Sequence, residues 1–180
     1  MEDPLHALVV VAHPEKTSLT NSVAAAVTWG VERAGHSVEI ADLVAEGFDP
    51  RYSAADQAAY RRGGTTPADV AAEQARIDRS DALVLVYPVY WWSFPGVLKG
   101  WIDRVFANGW GYQDTETGVV KKLQKLKVHL VTIGGADLRT YGRRGYLWAM
   151  RTQIEHGIFD YCGATVVKSE LFLSTEDGHR

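Results

Sequence analysis

The chain has 180 residues, 46% of them hydrophobic and 23% charged, with 19 Lys+Arg against 22 Asp+Glu and a net charge of −3. That length suits one domain with its own core, and that composition excludes extensive disorder. The charge balance excludes a basic field able to hold nucleic acid or an anionic membrane, and the single Cys162 excludes a disulfide framework or a multi-cysteine zinc site. The start, MEDPLH, lacks the basic segment of a secretory signal, and no apolar run nears the roughly 20 residues that span a bilayer. A cytoplasmic protein with no membrane insertion is the expectation.

Leu5 to Ala12 (LHALVVVA) is an almost unbroken aliphatic run, the signature of a strand covered on both faces. Ser18 to Ala34 predicts a helix, with a hydroxyl at its start and Gly35 just past its end. Between them lies HPEKTSLTN, where His13, Thr17, Ser18, Leu19, Thr20 and Asn21 surround a helix N-terminus. Free first-turn N–H groups and the positive dipole end make such a place a phosphate cradle, although Ser18 could equally serve only as a cap. Neither a dinucleotide fingerprint nor a P-loop is present.

Ser37 to Asp42 reads as a second, alternating strand, and Ser53 to Arg62 and Pro67 to Arg79 as two helices broken at Gly63-Gly64. Ala82 to Tyr87 (ALVLVY) is a third strand. It runs straight into Pro88, Val89, Tyr90, Trp91 and Trp92, whose adjacent aromatics no helix or strand periodicity demands. Such a loop could hold a flat ring or form an oligomer interface, where Trp and Tyr are also enriched. Phe94 to Ala107 predicts a helix with Pro95 in its first turn and apolar residues at helical spacing. Val128 to Ile133 is a fourth strand, whose last residues Thr132 and Ile133 open the segment TIGGADLRTYGRRGY with Gly134, Gly135, Tyr141 and three arginines. That segment reads as a ligand loop or as a solvated basic patch. Gly145 to Gly157 predicts the fourth main helix and Ala164 to Leu173 the last strand, with a frayed tail, Ser174 to Arg180. Strands alternating with helices imply a doubly wound, five-stranded parallel sheet of flavodoxin type with helices on both faces.

No zinc-protease histidine spacing and no hydrolase elbow occur, and Cys162 reads as a buried apolar residue. The three loops at consecutive strand ends together describe a flavin mononucleotide site. The stretches AHPEKTSLTNSV, YPVYWWSFPGVLKGWIDRVFANGWGY and TIGG with TYGRRGY resemble the flavodoxin-like NAD(P)H:quinone oxidoreductases, over roughly residues 5 to 170. That family includes DT-diaphorase, the modulator of drug activity and the ancillary oxidoreductases of potassium-efflux systems. The resemblance implies a single flavin-binding domain, in a homodimer with Trp101 and Trp110 as candidates for its interface, Trp101 also fitting the core face of its helix. His13, Ser18, Leu19 and Thr20 would hold the phosphate and ribityl chain, and Pro88, Val89, Tyr90, Trp91 and Trp92 would line the isoalloxazine. Thr132, Ile133, Gly134 and Gly135 would close the other side. Tyr141 would stand near the C2 carbonyl, and Tyr146 falls where DT-diaphorase has a catalytic histidine; these two are the catalytic candidates. The implied reaction is ping-pong: a two-electron hydride transfer from NAD(P)H, through N5 of FMN (FAD being possible), to a quinone. A regulatory subunit docked on a potassium-efflux antiporter and an acidic electron carrier are the alternatives.

Overall fold

The computed structural model describes residues 3–61 and 64–173; the expected tail, Ser174 to Arg180, and Gly63 of the expected Gly63-Gly64 break lie outside them. In chain order the elements are β1 (His6–Val11), α1 (Leu19–Arg33), β2 (Ser37–Asp42), α2 (Ala54–Tyr60), α3 (Ala68–Asp78), β3 (Ala82–Pro88) and α4 (Gly96–Val105). They continue with β4 (Tyr112–Thr115), β5 (Gly118–Lys121), β6 (Lys127–Ile133), α5 (Leu138–Arg143), α6 (Tyr146–Met150), a π-helix (Arg151–Asp160) and β7 (Thr165–Phe172). One five-stranded parallel sheet has the order β2-β1-β3-β6-β7, and β4 and β5 form a separate antiparallel hairpin.

Side-chain alternation along the aliphatic strands divides the core in two. Leu8 and Val10 of β1, Leu83 and Leu85 of β3 and Leu130 of β6 face Leu98, Trp101 and Val105 of α4 and Phe159 of the π-helix. Val9, Val11, Val84 and Val86 face the other way, against Val23, Ala24 and Val27 of α1. Helices thus cover both faces, as expected from the unbroken aliphatic runs. Each fully buried Leu contributes about 1.5–3 kcal/mol over its exposed state. Behind α4, buried Arg104 binds Asp56 at 3.1 Å, Asp69 at 2.6 Å and the Asp49 carbonyl at 2.7 Å, tying α2, α3 and α4 together.

Four expectations need correction. The segment 145–157 starts with Gly145 in the left-handed region (φ 73°), turns as α-helix to Met150, and then widens into a π-helix that runs on to Asp160. Part of the glycine- and arginine-rich loop is helix α5, capped by Asp137, whose carboxylate accepts the Thr140 amide at 2.8 Å. Pro95 precedes α4 with extended ψ (151°) rather than sitting in its first turn. Trp101 is no interface residue: it is fully buried and donates Nε1–H to Glu73 at 2.8 Å.

Candidate functional site

Parallel strands send all their C-terminal ends to one edge, and ligands of open α/β sheets sit in the crevice there, where the strand order reverses. That reversal falls between β1 and β3, adjacent strands in register from Ala7↔Ala82 to Val11↔Val86. The loops after β1, β3 and β6 therefore share one rim.

The loop after β1 is held by short-range hydrogen bonds. Ser18 Oγ accepts the Asn21 amide at 3.2 Å and caps α1. The Asn21 side chain donates to the Glu15 carbonyl at 2.9 Å and to Ser18 Oγ at 3.1 Å, and Thr17 donates to the Glu15 carboxylate at 3.1 Å. These donors are spent inside the loop. The Leu19 and Thr20 amides stand in the first turn of α1, which leaves them without helical acceptors. His13 Nδ1 accepts the Glu15 amide at 3.0 Å and lies 3.2 Å from the Glu15 carbonyl, so the ring is tied to its own loop.

In the loop after β3, the Val89 amide donates to the Ile133 carbonyl at 2.7 Å and pins the loop to β6. The amides and carbonyls of Tyr90 and Ser93 exchange two hydrogen bonds of 3.1 Å. Inside that closed turn Trp91 and Trp92 both adopt left-handed backbone, φ 49° and 61°. Such conformations cost about 1–3 kcal/mol each for residues with bulky side chains and persist only where the surroundings fix them. Among the described residues neither the Trp91 nor the Trp92 amide has an acceptor, so two adjacent N–H groups are available to a ligand. Trp91 is 91% exposed, whereas Trp92 is half-buried and its ring stacks on Tyr146 at 3.7 Å and 10°. Tyr141 meets Trp92 edge-on at 5.1 Å.

The loop after β6 supplies the other wall. The Gly134 amide donates to the Phe172 carbonyl at 2.7 Å, and the Tyr141 hydroxyl packs so closely on Gly134 that a Cβ built there would collide with it. Only glycine admits that approach. Tyr141 is 1% exposed, and burial pushes its phenol above the ordinary value. Arg139, Arg143 and Arg144 are exposed on and beside α5 with no ion pair among the described residues.

Trp92, Gly134, Tyr141 and Tyr146 thus come together, with the His13–Thr20 segment at the neighbouring strand end. Two expected site residues point elsewhere. The Thr132 hydroxyl donates to the Glu170 carbonyl at 2.9 Å, and the Ile133 side chain belongs to the core beneath α1. Sequence reasoning did not single out Gln153, which accepts the Ser93 hydroxyl at 3.0 Å from the π-helix, nor Tyr87, whose buried hydroxyl has no hydrogen-bond partner among the described residues. Neither has a sequence signal, because each is placed by packing alone. A cleft of about 720 Å³ lies elsewhere, between Tyr52, Tyr60, Arg104, Trp110 and Tyr161.

A family model described as flavodoxin-like fold matches residues 6–180. The chain is 29% identical to NAD(P)H dehydrogenase (quinone) 1 of Cavia porcellus, over 92% of this chain and 67% of that protein. It superposes on an NAD(P)H:quinone oxidoreductase from Methanothermobacter marburgensis with a TM-score of 0.90 at 28% identity, covering 98% of this chain and 90% of the other. It also superposes on general stress protein 14 of Treponema denticola, solved in complex with FMN, with a TM-score of 0.63 at 25% identity, covering 97% and 88%.

Proposed function

The chain belongs to the flavodoxin-like fold family, and from that membership and the geometry of the rim we propose that it is a flavin-dependent NAD(P)H:quinone oxidoreductase. The observation that carries this reading is the pair of unpartnered Trp91 and Trp92 amides, held in a strained turn beside the tight Gly134–Tyr141 contact. Polar edges of a flat heterocycle suit that donor set, and a phosphate suits the capped N-terminus of α1 with the His13 ring beside it. The flavin, when bound, supplies two-electron hydride chemistry between NAD(P)H and a quinone.

The protein's part is to bind and orient. Leu19 and Thr20 amides with His13 hold the phosphate. Trp91 and Trp92 amides bond to the ring's edge, and Gly134 and Gly135 let backbone close on it. Tyr141 keeps its phenolic proton at neutral pH, as an ordinary tyrosine does and as burial further favours, and so acts as a neutral hydrogen-bond donor. FMN is the form we favour, supported by the FMN complex of the Treponema protein. The reductant and the acceptor use one seat in turn. Exposed Trp91, Leu138 and Trp148 around the rim favour a homodimer that closes it. Among the described residues no helix is long and apolar enough to cross a membrane, and the reliance on NAD(P)H is consistent with a single-domain cytoplasmic enzyme.

The test is direct. The pure protein is heated and the released yellow compound identified as FMN, and NADH and NADPH oxidation is then followed with menadione, expecting parallel double-reciprocal lines. A polypeptide that stays colourless and takes up neither FMN nor FAD overturns the reading.

A further inference from the structure

We propose that Tyr146 is a positioning residue: its ring, stacked on Trp92, holds the Trp91–Trp92 turn in the shape that presents its two free amides, and its hydroxyl takes no part. For the identity of the ligand, the inference rests on the flavin reading above. The reciprocal Tyr90–Ser93 bonds close a two-residue turn of the kind that takes positive φ at both central positions, a geometry suited to Gly or Asn, so two tryptophans there carry strain that contacts outside the turn must offset. The Ser93–Gln153 bond anchors only the loop's end. The Trp92 ring is where the loop is gripped: one contact is the parallel Tyr146 ring at 3.7 Å and the other the Tyr141 edge at 5.1 Å. Tyr146 in turn stands on the first residue of α6, directly after left-handed Gly145, so its direction is set by a helix start rather than by a mobile loop. Its hydroxyl makes no hydrogen bond among the described residues. A stack only 3.7 Å apart also leaves no room for a second ring between Trp92 and Tyr146, so the pair works as one rigid wall of the seat.

The experiment compares the parent with Tyr146→Phe, Tyr146→Leu, Trp92→Leu and the Trp92→Leu/Tyr146→Leu double variant. Near-ultraviolet circular dichroism of the flavin-free proteins reads the stack, and titration with FMN reads the amides. Tyr146→Phe should keep the aromatic signal and bind FMN within about threefold of the parent. Tyr146→Leu should lose the Trp92 signal and weaken FMN binding roughly tenfold, the equivalent of about 1.4 kcal/mol. In the Trp92→Leu background, Tyr146→Leu should cost nothing more, since contacts that act through one another are not additive. Equal losses for Phe and Leu, which would make the hydroxyl the active group, overturn the proposal, and so do additive losses in the double variant. If the parent binds no flavin, the functional reading fails; the dichroism series still decides the stack, and an unchanged signal in Tyr146→Leu overturns it.

Discussion

In the loop after β1, every side chain that shapes the backbone is held by a near neighbour: Ser18 by Asn21, Asn21 by Glu15, Thr17 by Glu15. In the loop after β3, the shape is imposed from afar, by Tyr146 on Trp92, Gln153 on Ser93 and the Ile133 carbonyl on Val89. The first is a relaxed helix start that would form in almost any context. The second is a strained turn whose free amides exist only while the rest of the fold holds it. An anion cradle can be local, because a helix N-terminus presents its donors wherever it is made. A preorganised edge for a flat ring needs rigidity from outside its own segment.

The comparison can be broken at several points, beginning with the frame behind both loops. Arg104→Ala leaves Asp56 buried without its partner and should cost about 3–5 kcal/mol, read by urea unfolding, with no preference for either loop. The same frame sets an acid limit. Burial pushes the Asp56 carboxyl up, but hydrogen bonds from Ser53 and the Arg104 charge outweigh it and hold its pKa below the usual value. A carboxyl that binds its proton less tightly when folded adds stability above about pH 4 and loses it as pH falls through the folded value. The melting temperature should therefore drop on acidification below about pH 4, and less steeply in Asp56→Asn; equal slopes would remove Asp56 from the account.

Gly134→Ala comes next. Its new methyl must displace the Tyr141 hydroxyl, so we expect about 1–3 kcal/mol of destabilisation together with weaker FMN uptake, the signature of a wall imposed by tertiary contact. Ser18→Ala should cost about 1 kcal/mol as a lost cap, with the loss measured equally with and without flavin phosphate if the hydroxyl is a cap alone. The smallest effect has the opposite sign. Trp91→Gly removes an exposed ring from a left-handed position and should stabilise the flavin-free protein by roughly 0.5 kcal/mol while weakening FMN binding. A destabilised Trp91→Gly would mean that the turn is not strained, and the contrast between the loops would disappear.

The fold was legible because its signals are local and repeated. LHALVVVA, ALVLVY and VHLVTI can be buried only on both faces, and helices between them leave little but a parallel sheet. The hairpin of β4 and β5 was not read, since Gln113, Asp114 and Thr115 offer no apolar alternation to distinguish strand from loop. Helix α5 was hidden in a segment whose Gly134, Gly135 and Gly142 argue for irregular structure, until Asp137 capped it. At the rim, the same limit separated residue types from roles. Thr132 and Asn21 carry the right chemistry for a ligand, but their polar groups are consumed by the Glu170 and Glu15 carbonyls.

From the sequence alone follow the sheet, its two covered faces and the edge at which His13, Trp92 and Gly134 must emerge, because hydrophobic period and chain connectivity dictate them. Tertiary structure alone decided that Trp91 and Trp92 turn left-handed, that Tyr141 lies against Gly134 and that Tyr146 stacks rather than reaches. Those features depend on side chains distant in sequence meeting at fixed distances, and no local pattern encodes a distance across the fold.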